Sequence, residues 1–139
     1  MKKHLLFVFA SLLLMAGSVH AQSVALRADI PFDFVVGDTV MHAGTYTIQP
    51  MHAGESPVQL QSLDGKDSMW LAACTCASGQ AQHESQLVFQ VSDGQYFLWQ
   101  IWTQGYDEGR ELAIKHPETQ EANLRPSHTV VILAAGGRP

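Results

Sequence analysis

Two short patterns bring together side chains that could hold a metal ion or do redox chemistry. Cys74-Thr75-Cys76 sets two thiols two residues apart. In an extended strand both project from one side, with Cα atoms near the ~7 Å limit for a disulfide. A bridge there would need a local kink and would be strained and reducible. The spacing is not the C-x-x-C of thioredoxin-type sites. Two free thiols are the first expectation and a strained bridge is the second. Met41-His42-Ala43-Gly44 recurs as Met51-His52-Ala53-Gly54. Together, His42, His52, Cys74 and Cys76 make a set of soft ligands of the sort copper(I) accepts, with zinc as the other metal considered. Ala-Gly is also turn chemistry, and two turns each preceded by Met-His account for the repeat. No metal and no cofactor is assigned on this pattern.

The other candidates for chemistry are weaker. Asp107, Glu108 and Glu111 cluster, but a calcium loop supplies more oxygen ligands at fixed spacing. They read as a solvated acidic loop. No Ser sits in a nucleophile elbow, and His83, His116 and His128 belong to no motif. No catalytic residue is assigned, and the expectation is a protein that is not an enzyme.

Gln86–Thr103 holds the strongest local signal. Asp93-Gly94 lies between two runs of aromatic and branched residues, the signature of a type I′ hairpin with φ > 0 at both central positions. That turn predicts a register: Val91 opposite Tyr96, Phe89 opposite Leu98, Leu87 opposite Gln100, with Gln90 opposite Phe97, Val88 opposite Trp99 and Gln86 opposite Ile101. Strand side chains alternate, so one face collects Leu87, Phe89, Val91, Tyr96, Leu98 and Trp102 as core. The other mixes amides with Val88, Phe97, Trp99 and Ile101. Those four residues are the candidate surface for a ligand or partner, unless another element covers them.

Composition narrows the functional classes. Lys2 and Lys3, the apolar run Leu5–Ala16 and the ending Val19-His20-Ala21 read as a secretory signal peptide over residues 1–21. The run is short of the ~20 residues of a membrane span. Residues 22–139 then form a single domain, long enough to bury roughly two-thirds of its unfolded surface. The eight Lys and Arg include the two of the leader, against thirteen Asp and Glu. An acidic chain with no basic run has no electrostatic footprint for nucleic acid or anionic lipid. No second membrane span follows. The protein is expected outside the cytoplasm, periplasmic or extracellular.

Along the chain, Ile30–Val36 alternates, with Pro31 favouring an edge position. Gly37-Asp38 and His42-Ala43-Gly44 turn the chain, and Tyr46 and Ile48 share one face of the next strand. Val58–Leu63 and Ser68–Ala77 flank a second Asp-Gly turn, Asp64-Gly65, which sets Leu60 near Met69 and Val58 near Leu71. Arg110–Ile114 extends briefly. Pro117–Leu124 suits a short helix, with Pro in its first turn. Thr129–Ala135 is apolar on both faces and reads as a fully buried strand, and Gly136–Pro139 as a loose tail. The fold class is all-β: a single antiparallel β-barrel or β-sandwich of about eight short strands with one short C-terminal helix.

Asp29–Pro50 (DIPFDFVVGDTVMHAGTYTIQP) and Gln95–Leu112 (QYFLWQIWTQGYDEGREL) resemble a group of short secreted proteins common in acidobacteria and other soil bacteria. The elements shared are Ile30-Pro31-Phe32, Ala43-Gly44-Thr45-Tyr46 and Tyr96-Phe97-Leu98 through Trp102. The resemblance implies an exported β-rich protein and no particular reaction, and it lends His42 and the Cys pair no metal role. Three classes of function stand: a non-catalytic exported binding or interaction domain, a small barrel enclosing an apolar ligand, and a periplasmic copper or zinc binder.

Overall fold

The computed structural model describes residues 25–50, 57–113 and 128–137. Ala25–Ile30 (β1) alternates cleanly, with Leu26, Ala28 and Ile30 buried and Arg27 and Asp29 exposed. Pro31 ends it, since proline gives the ladder no N–H. Phe34–Val36 (β2) and Thr39–Met41 (β3) pair across Gly37-Asp38, with Gly37 at φ 60°. A glycine at positive φ in the first central position is the pattern of a type II′ turn. The chain continues through Gly44–Pro50 (β4), Val58–Ser62 (β5), Ser68–Leu71 (β6), Ala73–Ala77 (β7), Ser85–Ser92 (β8), Gln95–Trp102 (β9), Glu108–Leu112 (β10) and His128–Gly137 (β11).

The eleven strands among the described residues all belong to one sheet, in the order β3-β2-β9-β8-β11-β1-β4-β5-β6, with β10 joining β9 to β7. The chain is therefore all-β, as the turn spacing indicates, but it is not a two-sheet sandwich. The expected strand count of about eight falls short because Thr39–Met41, after the Gly37-Asp38 turn, forms a strand of its own and a second stretch divides. Ser68–Ala77 splits at Ala72, where its first part pairs with β5 and its second with β10. Nor is the sheet purely antiparallel, since β2 lies parallel to β9 through Phe34↔Tyr96 and Val35↔Phe97. No helix occurs among the described residues, and Pro117–Leu124 lies outside them, as does the leader segment 1–21.

The sheet curls on itself like a partial barrel. Phe34 of β2 and Tyr46 of β4 are remote in strand order, yet their rings meet edge to face at 5.2 Å. Phe34 also meets Phe89 at 5.5 Å, and Phe32 stacks on Tyr96 at 3.9 Å. Around these rings pack Leu26, Ile30, Met41, Ile48, Leu60, Leu87 and Leu98, all nearly sealed from solvent. The Phe34 ring thus stands between Tyr46 and Phe89, in contact with both.

Two expectations about strand faces change. The β8–β9 hairpin turns on Asp93 at φ 53° and Gly94 at φ 78°, and its register runs as read from Ser92↔Gln95 to Phe89↔Leu98. There a bulge intervenes: the next pairs are Val88↔Gln100, Leu87↔Ile101 and Gln86↔Trp102, so Trp99 is the extra residue. The cause is on the far edge of β9. Its first half pairs with β2 and its second half with β10, and Trp99 stands at the fork. A bulge lets a strand bend and twist where its partner changes. It also turns Ile101 to the core and Trp102 away from it. The second change is β11. Val130, Ile132 and Ala134 pack on the core, while Val131 and Leu133 are 48% and 58% exposed. Successive strand side chains alternate faces, so Val131 and Leu133 point away from the core that Val130, Ile132 and Ala134 pack on. The strand also runs through Gly136 and Gly137, where a loose tail was expected.

Candidate functional site

Among the described residues the strand order ends at β3 on one side and β6 on the other. The residues that follow β3 and precede β6 meet across this gap. Asp67, the residue before β6, receives three donors on Oδ2: the His42 backbone N–H at 3.4 Å, His42 Nδ1 at 3.3 Å and the Tyr46 hydroxyl at 3.1 Å. The same hydroxyl lies 2.7 Å from the His42 carbonyl oxygen, so its single proton is shared between two acceptors. Tyr46 spans the wall: its ring is in the core against Phe34 and its oxygen is at the seam. An inward tyrosine needs such a partner for its hydroxyl.

Local sequence holds both sides of the seam. On the β5–β6 side, the Ser62 hydroxyl donates to Asp64 Oδ1 at 2.7 Å and accepts from the Asp67 N–H at 2.9 Å, and Lys66 N–H also donates to Asp64. Gly65, at φ 74°, closes the turn, and the register sets Leu60 opposite Met69 and Val58 opposite Leu71 as the Asp-Gly signal indicates. On the other side, Ala43 N–H donates to Asp33 Oδ1 at 2.8 Å, and the Thr45 hydroxyl donates to Asp29. Between the two lies a half-open cleft of about 680 Å³, with His42 and Lys66 on its rim and exposed Leu63 as its apolar contact.

Electrostatics here follow from the hydrogen bonds. Burial raises the Asp67 carboxyl, but the His42 amide, the His42 ring and the Tyr46 hydroxyl outweigh it and hold the group below the usual carboxylate range. The Tyr46 phenol moves far upward, first by burial and then by its bond to Asp67 and the charges of Asp67, Asp64 and Asp33. Asp64 is held low, chiefly by the Ser62 hydroxyl and the Lys66 N–H. Tyr46 is thus a fixed neutral donor and Asp67 a fixed anion.

The four residues of the sequence-derived surface part company. Val88 and Phe97 lie on the outward side of the hairpin yet are 7% and 5% exposed, Trp99 is half-buried at the bulge, and Ile101 belongs to the core. The metal candidates also separate. His42 is at the seam, Cys74 and Cys76 are free thiols on β7, and His52 lies outside the described residues. Among the described residues no group of three or more His, Cys, Asp or Glu is placed to hold a metal ion. Of the acidic cluster, Glu108 is exposed, and Glu111 accepts from Gln100 Nε2 at 2.8 Å.

The sequence reading missed Asp67 altogether and took Tyr46 for plain core. A signal existed: an inward tyrosine hydroxyl, a His at the preceding turn and an Asp closing the next hairpin. Against known proteins, no family model, no curated protein and no solved structure matches this chain.

Proposed function

We propose that this chain is an exported, non-catalytic binding domain and that its recognition site is the cleft between His42–Tyr46 and Ser62–Asp67. The observation that carries this reading is a preorganised polar wall, with Asp67 held by the His42 N–H and the Tyr46 hydroxyl beside an open cleft. The Ser62, Thr45 and Tyr46 hydroxyls all donate to neighbours, which fixes them as oriented polar contacts. The volume falls within the range of small-molecule sites. The charged rim favours a small polar solute over a hydrocarbon. The exposed Lys66–Asp64 pair, 3.6 Å apart, is the weak kind a ligand can displace. The packed aromatic interior speaks against an enclosed apolar ligand. Export rests on the leader-like residues 1–21 and on the resemblance to short secreted proteins.

The test is an amide-resolved NMR titration with a panel of amino acids, sugars and dicarboxylates. At least one compound should produce saturable shifts centred on His42, Leu63 and Lys66, weakened in Lys66→Ala and Leu63→Ala. Saturable shifts centred on Val131–Leu133 instead, or none at the cleft across the panel, would overturn the reading.

A further inference from the structure

Cys74 and Cys76 share the outward face of β7, and the pairing with β10 defines what surrounds them. Glu111 stands opposite Cys74 and Gly109 opposite Cys76. On the other side of β10, Gly109 pairs with Trp102 and Glu111 with Gln100. Gly109 has no side chain, and the Trp102 ring lies over it, so close that a Cβ at this position would sit 2.5 Å from the ring. The indole is fixed by its Nε1–H donating to Gln100 Oε1 at 3.2 Å, and Gln100 in turn donates to Glu111. One row of the sheet therefore reads Trp102, Gly109, Cys76, with an aromatic face laid over the glycine towards the thiol.

The thiol spacing decides what can join them. Residues i and i+2 of a strand stand ~6.6–6.8 Å apart at Cα, and their side chains run parallel. A disulfide brings Cβ atoms to ~3.5–4.5 Å, which this geometry opposes. A single soft cation between the two sulfurs lengthens the bridge and removes that conflict. A four-coordinate zinc site would need ligands that the described residues do not bring together. Copper(I) is a soft ion that two thiolates alone can satisfy.

We propose that Cys74 and Cys76 form a two-coordinate site for copper(I) on the outer face of β7, walled by the Trp102 indole. On binding, both thiols lose their protons to solvent, two S–Cu bonds form, no electron is transferred, and the bound unit carries one negative charge. Glu111 is a like charge beside it. The site is separate from the cleft and does not depend on the cleft's ligand.

The experiment is anaerobic titration of the reduced protein with copper(I) against a competing chromophoric chelator, followed by tryptophan fluorescence and size-exclusion chromatography. The expected result is one copper per chain, a monomer throughout and quenching of the indole fluorescence. Cys74→Ser and Cys76→Ser should each lower the affinity at least tenfold, and His42→Ala should leave it unchanged. Glu111→Gln should raise the affinity, because it removes the like charge, and no purely structural role for Glu111 predicts that gain. Copper retained by the Cys74→Ser, Cys76→Ser double variant, copper shared between two chains, or copper yielded entirely to the chelator would each overturn the proposal.

Discussion

Replacing Tyr46 by Phe removes one oxygen from the seam and leaves the ring against Phe34. The hydroxyl proton is shared between the His42 carbonyl at 2.7 Å and Asp67 Oδ2 at 3.1 Å. A hydrogen bond between neutral groups contributes about 0.5–1.5 kcal/mol net and one to a charged group about 1.5–3 kcal/mol. Asp67 keeps both His42 donors in the variant, so its carboxylate is not orphaned. The loss should fall where the two ranges meet, about 1.5 kcal/mol. In urea the midpoint should drop with an unchanged m-value, since the same surface is exposed on unfolding. The alkaline limb gives an independent check. The folded Tyr46 phenol lies far above its ordinary value, while in the unfolded chain it titrates near pH ~10. A group raised in the folded state contributes stability that is complete below the unfolded value and is lost as pH rises towards the folded one. The parent should therefore lose stability above pH ~10 more steeply than the Phe variant. Equal midpoints at neutral pH together with equal alkaline slopes would refute the idea that Tyr46 struts the seam.

Gly109→Ala places a methyl 2.5–2.8 Å from three Trp102 ring carbons, so the indole must leave its seat. The cost should be about 1–3 kcal/mol, with a change in tryptophan emission, and a variant as stable as the parent would contradict the stacking. Phe89→Ala should cost about 3–5 kcal/mol in chemical denaturation, since its ring touches both Phe32 and Phe34. Gln90→Ala, one residue on and facing out, should stay within about 0.5 kcal/mol, and similar losses for the two would mean the hairpin faces are misassigned.

What the sequence disclosed was local. Asp93-Gly94 and Asp64-Gly65 each set a register that the strand pairs follow, because a tight turn and the residues beside it contain all the information needed. The two turns still differ: Asp93 adopts φ 53°, whereas Gly65 alone carries positive φ in the other, within a longer turn spanned by Ser62 and Asp67. The period-two pattern likewise placed Leu26, Tyr46, Ile48, Val58 and Leu60 inward. The bulge at Trp99 was not legible, because its cause is the exchange of β2 for β10 along one edge, a pairing between segments more than sixty positions apart for β2. One extra residue was enough to send Ile101 inward, off the face that keeps Phe97. The uniform apolarity of Thr129–Ala135 misled for another reason. Burial on both faces requires a second layer, and composition alone does not say whether one exists.

The seam illustrates why a site can be hidden when each residue is ordinary. His42, Tyr46 and Asp67 come from a turn, a strand and a second turn, at spacings that match no motif. They converge because β1 sits between β4 and β11, β5 pairs back on β4, and the curl then swings β6 towards the β3 edge. A sheet with unpaired ends exposes ladder donors and acceptors, and natural folds cover or cap such edges. Here side chains do that work: one carboxylate gathers a backbone N–H, an imidazole and a phenol across the gap. The requirement to close the curl thus leaves a charged, rigid cleft at the wall's weakest point. It leaves the imidazole itself largely in solvent, with its side chain 74% exposed. A ligand that bonds this ring would bind without disturbing the strut beneath it, because the backbone N–H of His42 and the Tyr46 hydroxyl hold Asp67 independently of which way the ring turns.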